Sequence, residues 1–352
     1  MQNVIYTTDP VGELQRAVGD RNPAGVFVVA DTNTRRLVLP RIAAASESLA
    51  KATVIEIEAG DDRKNLQSLS AVWQALVEGG ATRGSLVVNV GGGMVTDLGG
   101  FAAATFKRGV RFINLPTTLL GAVDAAVGGK TGINFCGLKN EVGVFAEASD
   151  VIISSTFFDT LPDGELLSGY GEVLKHALLD SVGATRRALA ASPLELDSGA
   201  LLNLLRESVE VKRRVVAADP HENGLRKALN LGHTAAHAFE ALAFAGGKPV
   251  AHGHAVAWGL VVDLVLSSMI LSFPSSTLQD VAAFVRANYP APAITCDDYP
   301  ALIGYMRHDK KNRTAGDINF TLLRSPGDIA IDSTVEPPRI EAALDIFRDL
   351  LQ

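Results

Sequence analysis

Five of the seven histidines fall in three short segments that the sequence predicts to be helical. His233 and His237 are four residues apart, so they share one helix face and can hold a metal ion together, although such a pair more often caps a helix or lies in a core. A glutamate with two histidines leaves a coordination position open, which is typical of catalytic metal sites. The segments are GEVLKH (171–176), which contains Glu172, NLGHTAAHAFE (230–240) and AHGHAV (251–256). They indicate a metal centre and leave His233, His237, His252 and His254 open as ligands.

Basic side chains follow the same segments and the glycines of the N-terminal half. Each of them alone is more often a solvated surface residue. Together they are able to line a pocket for carboxylate and phosphate groups, with arginine giving paired hydrogen bonds. The sequence therefore indicates a small anionic substrate. The basic residues and the amides beside them are Lys107, Arg108, Lys130, Lys139, Asn140, Lys212, Arg226, Asn230, Lys310 and Lys311.

A glycine run interrupts the segment LVVNVGGGMVTDLGG (86–100), directly after an apolar strand and before a predicted helix. Glycine lets the backbone approach a pyrophosphate, and a helix N-terminus offers N–H donors to it. The spacing is GGGxxxD and not the GxGxxG fingerprint, so a plain tight turn is the alternative. Acidic residues also follow two other strands, at Asp31 and in 60–64. Polar groups at several strand ends are what a dinucleotide cleft requires.

The elements that position these groups follow from the apolar pattern. Continuous apolar runs, separated by helical stretches, predict a parallel sheet buried on both faces in the first 150 or so residues. The predicted strands are Val26–Ala30, Thr53–Ile57, Leu86–Val90, Phe112–Leu115 and Val151–Ser154, with helices at Asn65–Glu78 and Asp97–Thr105. This alternation is typical of a doubly wound α/β domain.

Helical patterns dominate the chain after about Thr156. They predict a second, mainly helical domain, with one late β-hairpin at Ile318–Leu323 and Ile329–Ile331. The predicted helices are Pro162–Leu179, Ala200–Ala218, Arg226–Ala243, His254–Leu271 and Leu278–Asn288. A chain of 352 residues is also long enough that two domains are expected.

Composition narrows the class of protein. A chain that is 47% hydrophobic and 20% charged is ordinary for a globular fold, and the net charge of -7 argues against nucleic acid as a partner. We find no apolar run of bilayer length and no signal peptide, so we expect no membrane partner. The two cysteines, Cys136 and Cys296, fit no metal or redox spacing, which favours a reduced, cytoplasmic setting.

Seven motifs, in order from about Asp31 to Lys311, resemble those of the 3-dehydroquinate synthases, which belong to the sugar-phosphate cyclases. They are GGGMVTDLGGFAAATFKRG (91–109), LPTTLLGAVDAAVGGKTGIN (115–134), LKN (138–140), GYGEVLKHALL (169–179), LNLGHTAAHAFE (229–240), AHGHAVAWG (251–259) and HDKKNR (308–313). The resemblance implies a Rossmann-like NAD-binding domain over 1–155 and a mainly α-helical metal- and substrate-binding domain over 156–352, usually in a homodimer.

The resemblance also implies NAD⁺ and Zn²⁺ or Co²⁺ as cofactors and a role for each matching residue. The metal ligands would be Glu172, His233 and His252. The cofactor-binding residues would be Asp31, Asn33, Asp61, Lys64, Gly92, Gly93, Asp97, Thr117, Thr118, Lys130, Lys139 and Thr160. The catalytic pocket would use Asp124, Lys130, Lys175, Lys212, Arg226, Asn230 and His237, with Arg108, Asn140 and Lys310 binding substrate and Lys311 replacing Lys310 if the register shifts by one.

The implied reaction turns 3-deoxy-D-arabino-heptulosonate 7-phosphate into 3-dehydroquinate and phosphate, on the shikimate pathway to chorismate and the aromatic amino acids. The metal would acidify a substrate hydroxyl and NAD⁺ would take and later return a hydride, while phosphate leaves by elimination and an aldol step closes the ring. Two departures from the family pattern stand out. Thr96 replaces a frequent glycine, and His254 replaces a frequent glutamate, so that a second imidazole follows His252.

Three alternatives share parts of this pattern. Cyclases that make 2-deoxy-scyllo-inosose or epi-valiolone use the same cofactors, but Lys212, Arg226 and Asn230 favour a substrate with a carboxylate. A metal-dependent polyol dehydrogenase needs no cluster of phosphate-binding lysines. A catalytically silent NAD-binding protein would not need the full set of candidate ligands and basic residues.

Overall fold

The computed structural model describes residues 2–136, 138–308 and 318–351. The chain divides into two compact units, one formed by residues 1–162 and 196–209 and the other by residues 163–195 and 210–352.

The first unit is built on a parallel sheet of six strands in the order β1-β8-β5-β4-β2-β3. All five predicted strands are present and pair in parallel, which confirms the prediction of a parallel α/β sheet. Ala30 of β2 lies opposite Val90 of β4, and the connections from these neighbouring strands leave in opposite directions. The connections therefore reverse direction between Asp31 and the glycine run, which is where a doubly wound sheet is expected to form its ligand cleft. The strands are β1 (Asn3–Tyr6), β2 (Val26–Asp31), β3 (Thr53–Ile57), β4 (Leu86–Gly91), β5 (Arg111–Pro116) and β8 (Asp150–Ile153).

Helices cover the sheet and begin at recognisable caps. Asn65 accepts a hydrogen bond from the Ser68 backbone N–H at 3.1 Å, so α5 starts where the sequence predicts it. The helices are α1 (Pro10–Gly19), α2 (Thr32–Leu37), α3 (Leu39–Ala45), α4 (Glu47–Ala50), α5 (Leu66–Glu78) and α6 (Gly93–Thr105). Short 3-10 helices lie at Asp61–Arg63, Phe106–Arg108 and Ser155–Thr160, and a π-helical turn at Gly121–Ala125.

The sequence did not predict the antiparallel hairpin of β6 (Lys130–Phe135) and β7 (Leu138–Phe145). Its polar and glycine residues break the apolar pattern, and Gly132 and Gly143 face each other so closely that an added Cβ on Gly143 would lie 2.0 Å from the Thr131 carbonyl oxygen. Several of its apolar side chains are exposed, including Phe135 and Phe145. The short strand β1 at the edge of the sheet was also missed.

The second unit is mainly helical, as predicted, with the hairpin of β9 and β10 late in the chain. The predicted helix Arg226–Ala243 is wrong in one respect, because Gly232 breaks it at a left-handed φ of 79°. A 3-10 helix at Leu225–Asn230 precedes the break, and α10 begins at His233. The elements are α7 (Asp163–Asp180), α8 (Val182–Ala190), α9 (Ser198–Ala218, shared with the first unit), α10 (His233–Ala245), α11 (His252–Leu271), α12 (Ser275–Asn288), a 3-10 helix (Cys296–Asp298), α13 (Tyr299–Arg307), β9 (Asn319–Ser325), β10 (Asp328–Thr334) and α14 (Pro337–Leu351).

Helix α11 is the core of this unit. Contrary to the expectation from the sequence, it is long and apolar enough to cross a membrane by length and composition, but 72% of the relevant window is buried inside the fold. Glycines bring its neighbours close: an added Cβ on Gly171 of α7 would lie 2.3 Å from the Gly253 carbonyl oxygen, and one on Gly259 would lie 1.9 Å from that of Gly232. These contacts set where α7 and the start of α10 meet α11.

We predict that Gly259→Ala lowers the free energy of unfolding by about 1–3 kcal/mol, because its methyl group has no room beside the Gly232 carbonyl. Gly304→Ala is the matched control: Gly304 is also inside a helix, but an added Cβ meets nothing within 4 Å. That change should raise the stability by about 0.5–1 kcal/mol. Chemical denaturation of the full chain measures both, and equal effects of the two changes would contradict the close packing.

Candidate metal and dinucleotide sites

Three helices of the second unit bring Glu172, His233 and His252 together. Glu172 lies inside α7, whereas the two histidines are the first residues of α10 and α11. Glu172 Oε1 lies 3.5 Å from His233 Nε2 and 3.4 Å from His252 Nε2. Ligands of a tetrahedral zinc ion, with bonds of about 2.0–2.2 Å, are about 3.3–3.5 Å apart. The spacing therefore fits a metal ion, and the three ligand atoms form one of the groups in the described residues that could hold one.

Glu172 has the electrostatic character of a metal ligand. Its side chain is fully buried, and within the described residues neither of its carboxylate oxygens accepts a hydrogen bond of good geometry. Burial raises the pKa of this carboxyl, but the ammonium of Lys175, which forms an ion pair with Oε2, and the two imidazoles outweigh burial and hold the pKa well below its usual range. The carboxylate is thus ionised and available to a cation.

His233 is held in the tautomer that a metal needs. Its Nδ1 lies 3.0 Å from the Leu231 carbonyl oxygen, to which it donates, so that Nε2 faces Glu172 without a proton. Burial, with Lys175 next in importance, lowers the pKa of His233 to about 4. The neutral form that binds metals is therefore the stable one.

His252 is held by a residue to which the sequence analysis gave no role. Its Nδ1 lies 3.3 Å from Oε2 of Glu240, on α10. Burial lowers the pKa of His252, but Glu240 and then Glu172 outweigh it and raise the pKa to about 10. The spacing of His233, His237 and Glu240 at i, i+4 and i+7 on one helix is the signal that could have revealed this residue.

The other two candidate histidines, His237 and His254, differ in their distance from the ligand group. The ring of His237 lies 5.6 Å from that of His233 and 6.3 Å from that of His252, so it borders the centre, as the resemblance implies. His254 is turned elsewhere: its Nε2 lies 3.1 Å from the Gly164 carbonyl oxygen and its ring packs edge-on against Tyr289. His254 therefore contacts Gly164 of α7 and Tyr289, which follows α12, and these contacts turn it away from the ligand group.

Three of the candidate basic residues of the second unit are buried, which is unusual for their types. Lys175, Lys212 and Arg226 are 1%, 7% and 2% exposed, and the 3-10 helix that carries Arg226 and Asn230 packs against α7. Arg226 donates to the Pro220 carbonyl oxygen at 2.6 Å, and Asn230 Nδ2 to Glu222 Oε1 at 3.0 Å.

Asp219 organises the loop before Arg226 and was also missed from the sequence. Its carboxylate accepts backbone N–H bonds from Asn223 at 3.0 Å, Gly224 at 2.7 Å and Arg226 at 3.1 Å. These bonds lower the pKa of Asp219, with the Gly224 bond the largest cause. The carboxylate thus fixes the backbone from Asn223 to Arg226, and with it the position of the Arg226 side chain.

In the first unit, the glycine run forms a close-packed turn from β4 into α6. An added Cβ would lie 3.0 Å from Thr118 at Gly92 and 3.0 Å from Ala125 at Gly93. No described side chain caps the N-terminus of α6, so its first N–H groups remain available to an anion. Thr117 donates its backbone N–H to the Gly91 carbonyl at 2.9 Å. Packing against Thr118 and Ala125 thus accounts for the two glycines, and the uncapped start of α6 is the feature that a dinucleotide phosphate would use.

Charged residues predicted for the same site form two ion pairs, one of which includes a residue of the β6–β7 hairpin. Lys64, only 5% exposed, pairs with Asp97 at 2.9 Å, and Lys139 pairs with Asp61 at 3.1 Å. Asn134 of β6 donates its backbone N–H to the Lys64 carbonyl at 2.7 Å. The unpredicted hairpin therefore joins the segment 61–64 to Lys139.

The other cofactor candidates lie along the carboxyl edge of the sheet. Asp31 caps α2, because its Oδ1 accepts hydrogen bonds from the backbone N–H groups of Asn33 at 2.9 Å and Thr34 at 2.8 Å. Asp31 therefore has a structural role as a helix cap. Thr160 ends the 3-10 helix that follows β8, farther along the sheet. Thr96 is buried and donates its hydroxyl to the Gly93 carbonyl at 3.1 Å.

Four substrate candidates also lie in the first unit. Asp124 is in the π-helical turn, Lys130 begins β6, and Asn140 has a left-handed φ of 55°. Arg108, with a φ of 67°, lines an open cavity of about 440 Å³ with Lys107, Arg83 and Thr82. Lys310 and Lys311 lie outside the described residues.

Family models match both halves of the chain. Residues 54–168 match the model described as 3-dehydroquinate synthase N-terminal, and residues 169–312 the model described as 3-dehydroquinate synthase C-terminal. A 3-dehydroquinate synthase of Parabacteroides distasonis is 46% identical over 99% of this chain and 98% of its own length. One of Thermococcus kodakarensis is 36% identical over 97% of this chain and 94% of its own.

Solved structures share the fold. A 2-deoxy-scyllo-inosose synthase complexed with carbaglucose-6-phosphate, NAD⁺ and Co²⁺ has a TM-score of 0.83 at 20% identity, over 99% of this chain and 96% of that one. A 2-epi-5-epi-valiolone synthase from Streptomyces hygroscopicus with NAD⁺ and Zn²⁺ bound has a TM-score of 0.80 at 25% identity, over 99% and 97%.

We predict that Glu172→Ala and His233→Ala each abolish zinc retention, since each removes one of three converging ligand atoms. His254→Ala, the control, should retain zinc like the unmodified chain, because its imidazole contacts Gly164. The zinc-to-protein ratio after gel filtration, measured by mass spectrometry, checks all three. Normal zinc content in either ligand variant would refute the assignment.

Proposed function

The chain belongs to the 3-dehydroquinate synthase family, and from this we propose that it converts 3-deoxy-D-arabino-heptulosonate 7-phosphate to 3-dehydroquinate and phosphate, as a carbon–oxygen lyase of the shikimate pathway. The match to a 3-dehydroquinate synthase that is 46% identical over 99% of this chain carries the proposal for the reaction. The Glu172–His233–His252 spacing supports the metal that this reaction uses.

We propose NAD⁺ and Zn²⁺ or Co²⁺ as the cofactors, as in the two related cyclase structures. Bound NAD⁺ supplies a reversible hydride acceptor, and the divalent ion supplies a Lewis acid for a substrate hydroxyl. Glu172, His233 and His252 would hold the ion through one oxygen and two Nε2 atoms. Three protein ligands leave room for substrate oxygens at the remaining positions.

The buried cations of the second unit would hold the anionic ends of the substrate. Lys175 is fixed by its ion pair with Glu172, so its ammonium is placed beside the metal centre without further ordering. Lys212, Arg226, Asn230 and His237 would contact the carboxylate, phosphate and hydroxyl groups, and the burial of Lys212 and Arg226 strengthens their interactions. The arginine fork suits a carboxylate, as expected for this substrate and not for an uncharged sugar end.

In the first unit, we propose that the backbone of Gly92 and Gly93 receives the NAD⁺ pyrophosphate. Asp31, Asn33, Asp61, Lys64, Asp97, Thr117, Thr118, Lys139 and Thr160 would contact the rest of the cofactor, and Lys130 both cofactor and substrate. Arg108, Asp124, Asn140 and Lys310 would contact the substrate. The proposed NAD-binding domain spans residues 1–155, and the proposed metal- and substrate-binding domain spans residues 156–352.

We predict that the purified full chain releases phosphate and forms a carbocycle in equal amounts from the heptulosonate phosphate, with catalytic NAD⁺ and Zn²⁺. No NADH should accumulate, because the hydride is returned within each turnover. A chelator should abolish activity, and added Zn²⁺ should restore it. Glucose 6-phosphate, which lacks the carboxylate, should give no product.

Phosphate release and absorbance at the NADH wavelength, followed together, decide between the candidate reactions. Stoichiometric consumption of NAD⁺ would indicate a dehydrogenase and would overturn the proposal. Turnover of glucose 6-phosphate without the heptulosonate phosphate would favour another cyclase. His233→Ala is the inactive control for metal-independent background.

We also propose a cytoplasmic homodimer. The exposed apolar side chains of the β6–β7 hairpin, among them Val144 and Phe145, support a subunit interface there. Both cysteines are free and exposed, which supports the cytoplasmic setting.

We predict that sedimentation velocity shows a dimer and that Phe145→Glu dissociates it. Val77→Glu, at a side chain 65% exposed on α5, should leave the dimer intact. A monomeric unmodified chain would contradict the proposal.

A further inference from the structure

We propose that Glu240 is a positioning residue for the metal centre, which sets the orientation and metal affinity of His252. The inference rests on the proposed metal site and adds a residue that is not itself a ligand. Its basis is the placement of one carboxylate oxygen of Glu240 beside Nδ1 of His252, 3.3 Å away, while Nε2 of the same ring faces Glu172 at 3.4 Å.

The two imidazoles of the centre are supported differently. A backbone carbonyl, that of Leu231, receives the Nδ1 proton of His233. A carboxylate occupies the same place beside His252. A carboxylate partner holds the Nδ1 proton as a carbonyl does. It also adds negative charge to the ring, so that Nε2 is a stronger donor to a metal ion that displaces the Nε2 proton. His252 should therefore depend on Glu240 for its strength as a ligand.

The position of Glu240 explains how one helix serves both histidines. Glu240 is seven residues, or about two turns, after His233 and lies on the same face of α10. Helix α10 packs along α11, whose first residue is His252. The helix thus contributes one ligand at its start and, two turns later, the support for the ligand on its neighbour.

Burial argues that this carboxylate has a specific task. Glu240 is 9% exposed, and a carboxylate so far removed from water is costly unless charged or donor groups face it. His252 supplies such a group. With a divalent ion bound, the negative charges of Glu172 and Glu240 also balance the charge of the ion, which lowers the cost of burying it.

Glu240→Gln tests the proposal, because it keeps the size and an acceptor oxygen but removes the charge. In the metal-free full chain, without NAD⁺ or substrate, we expect the Kd for Zn²⁺ to rise on the order of 10- to 100-fold in a chelator competition. Glu240→Ala should weaken binding at least as much. Glu341→Gln, at an exposed position of α14, is the matched control and should leave the Kd unchanged.

A double-mutant cycle separates positioning from a general effect on the fold. If Glu240 acts through His252, the change to Gln should have less than a twofold effect on the Kd in a His252→Ala background and keep its full effect in a His233→Ala background. The Kd values of these backgrounds are measured by titration at zinc concentrations that fill sites too weak to retain zinc on gel filtration. The absorption bands of Co²⁺ bound to the chain should also shift in Glu240→Gln. The melting temperature of the metal-free protein reports whether the variant is folded.

Two results would overturn the inference: a zinc Kd within twofold of the unmodified chain in both Glu240 variants, or an equal loss with and without His252. If Glu240→Ala fails to fold, the zinc Kd and the Co²⁺ absorption bands of Glu240→Gln still test whether Glu240 positions His252. Failure of the unmodified chain to bind zinc would instead refute the proposed metal centre, so the two failures are distinguishable.

Discussion

An ionised carboxylate without water around it is stable in a protein interior only when positive charge lies close by, and Glu172 is such a group. Lys175 supplies part of that charge from one turn along the same helix. The imidazoles of two other helices face the remaining oxygen. Much of the second unit can be understood as the means of holding these groups together. Glycines let α7 and the start of α10 approach α11, and the two histidines are the first residues of their helices.

The sites proposed for the two units would recognise their ligands in different ways. The first offers backbone groups, at a glycine turn where a side chain would leave no room. The second offers side chains that are buried and fixed by hydrogen bonds, as with Arg226 and the Asp219 loop. Backbone donors suit a cofactor that is bound in one way throughout turnover. Fixed side-chain charges suit a substrate whose charge distribution changes during the reaction, since they need not reorganise.

The sequence was sufficient for those features that depend on local pattern. Buried parallel strands were recognisable as apolar runs, and the glycines after β4 predicted the turn into α6. It was insufficient where distant residues decide the outcome. The break at Gly232 depends on the close passage of Gly259, and the β6–β7 hairpin carries exposed apolar side chains and no clean alternation. Periodicity left the candidate metal ligands open, and only the resemblance narrowed them to three residues. Glu240 was missed because its partner lies on another helix, and Asp219 because its partners are backbone groups.

The burial of α11 ties the behaviour of the protein in heat to its supply of metal. The helix that begins with His252 is also the apolar centre of its unit, so unfolding this core disperses the ligands at the same time. An ion that binds only the folded chain stabilises it by about 1.4 kcal/mol for each tenfold excess of free ion over the Kd. Scarcity of zinc in a cell would then shorten the lifetime of the polypeptide itself, and its abundance would be governed by metal homeostasis as well as by synthesis.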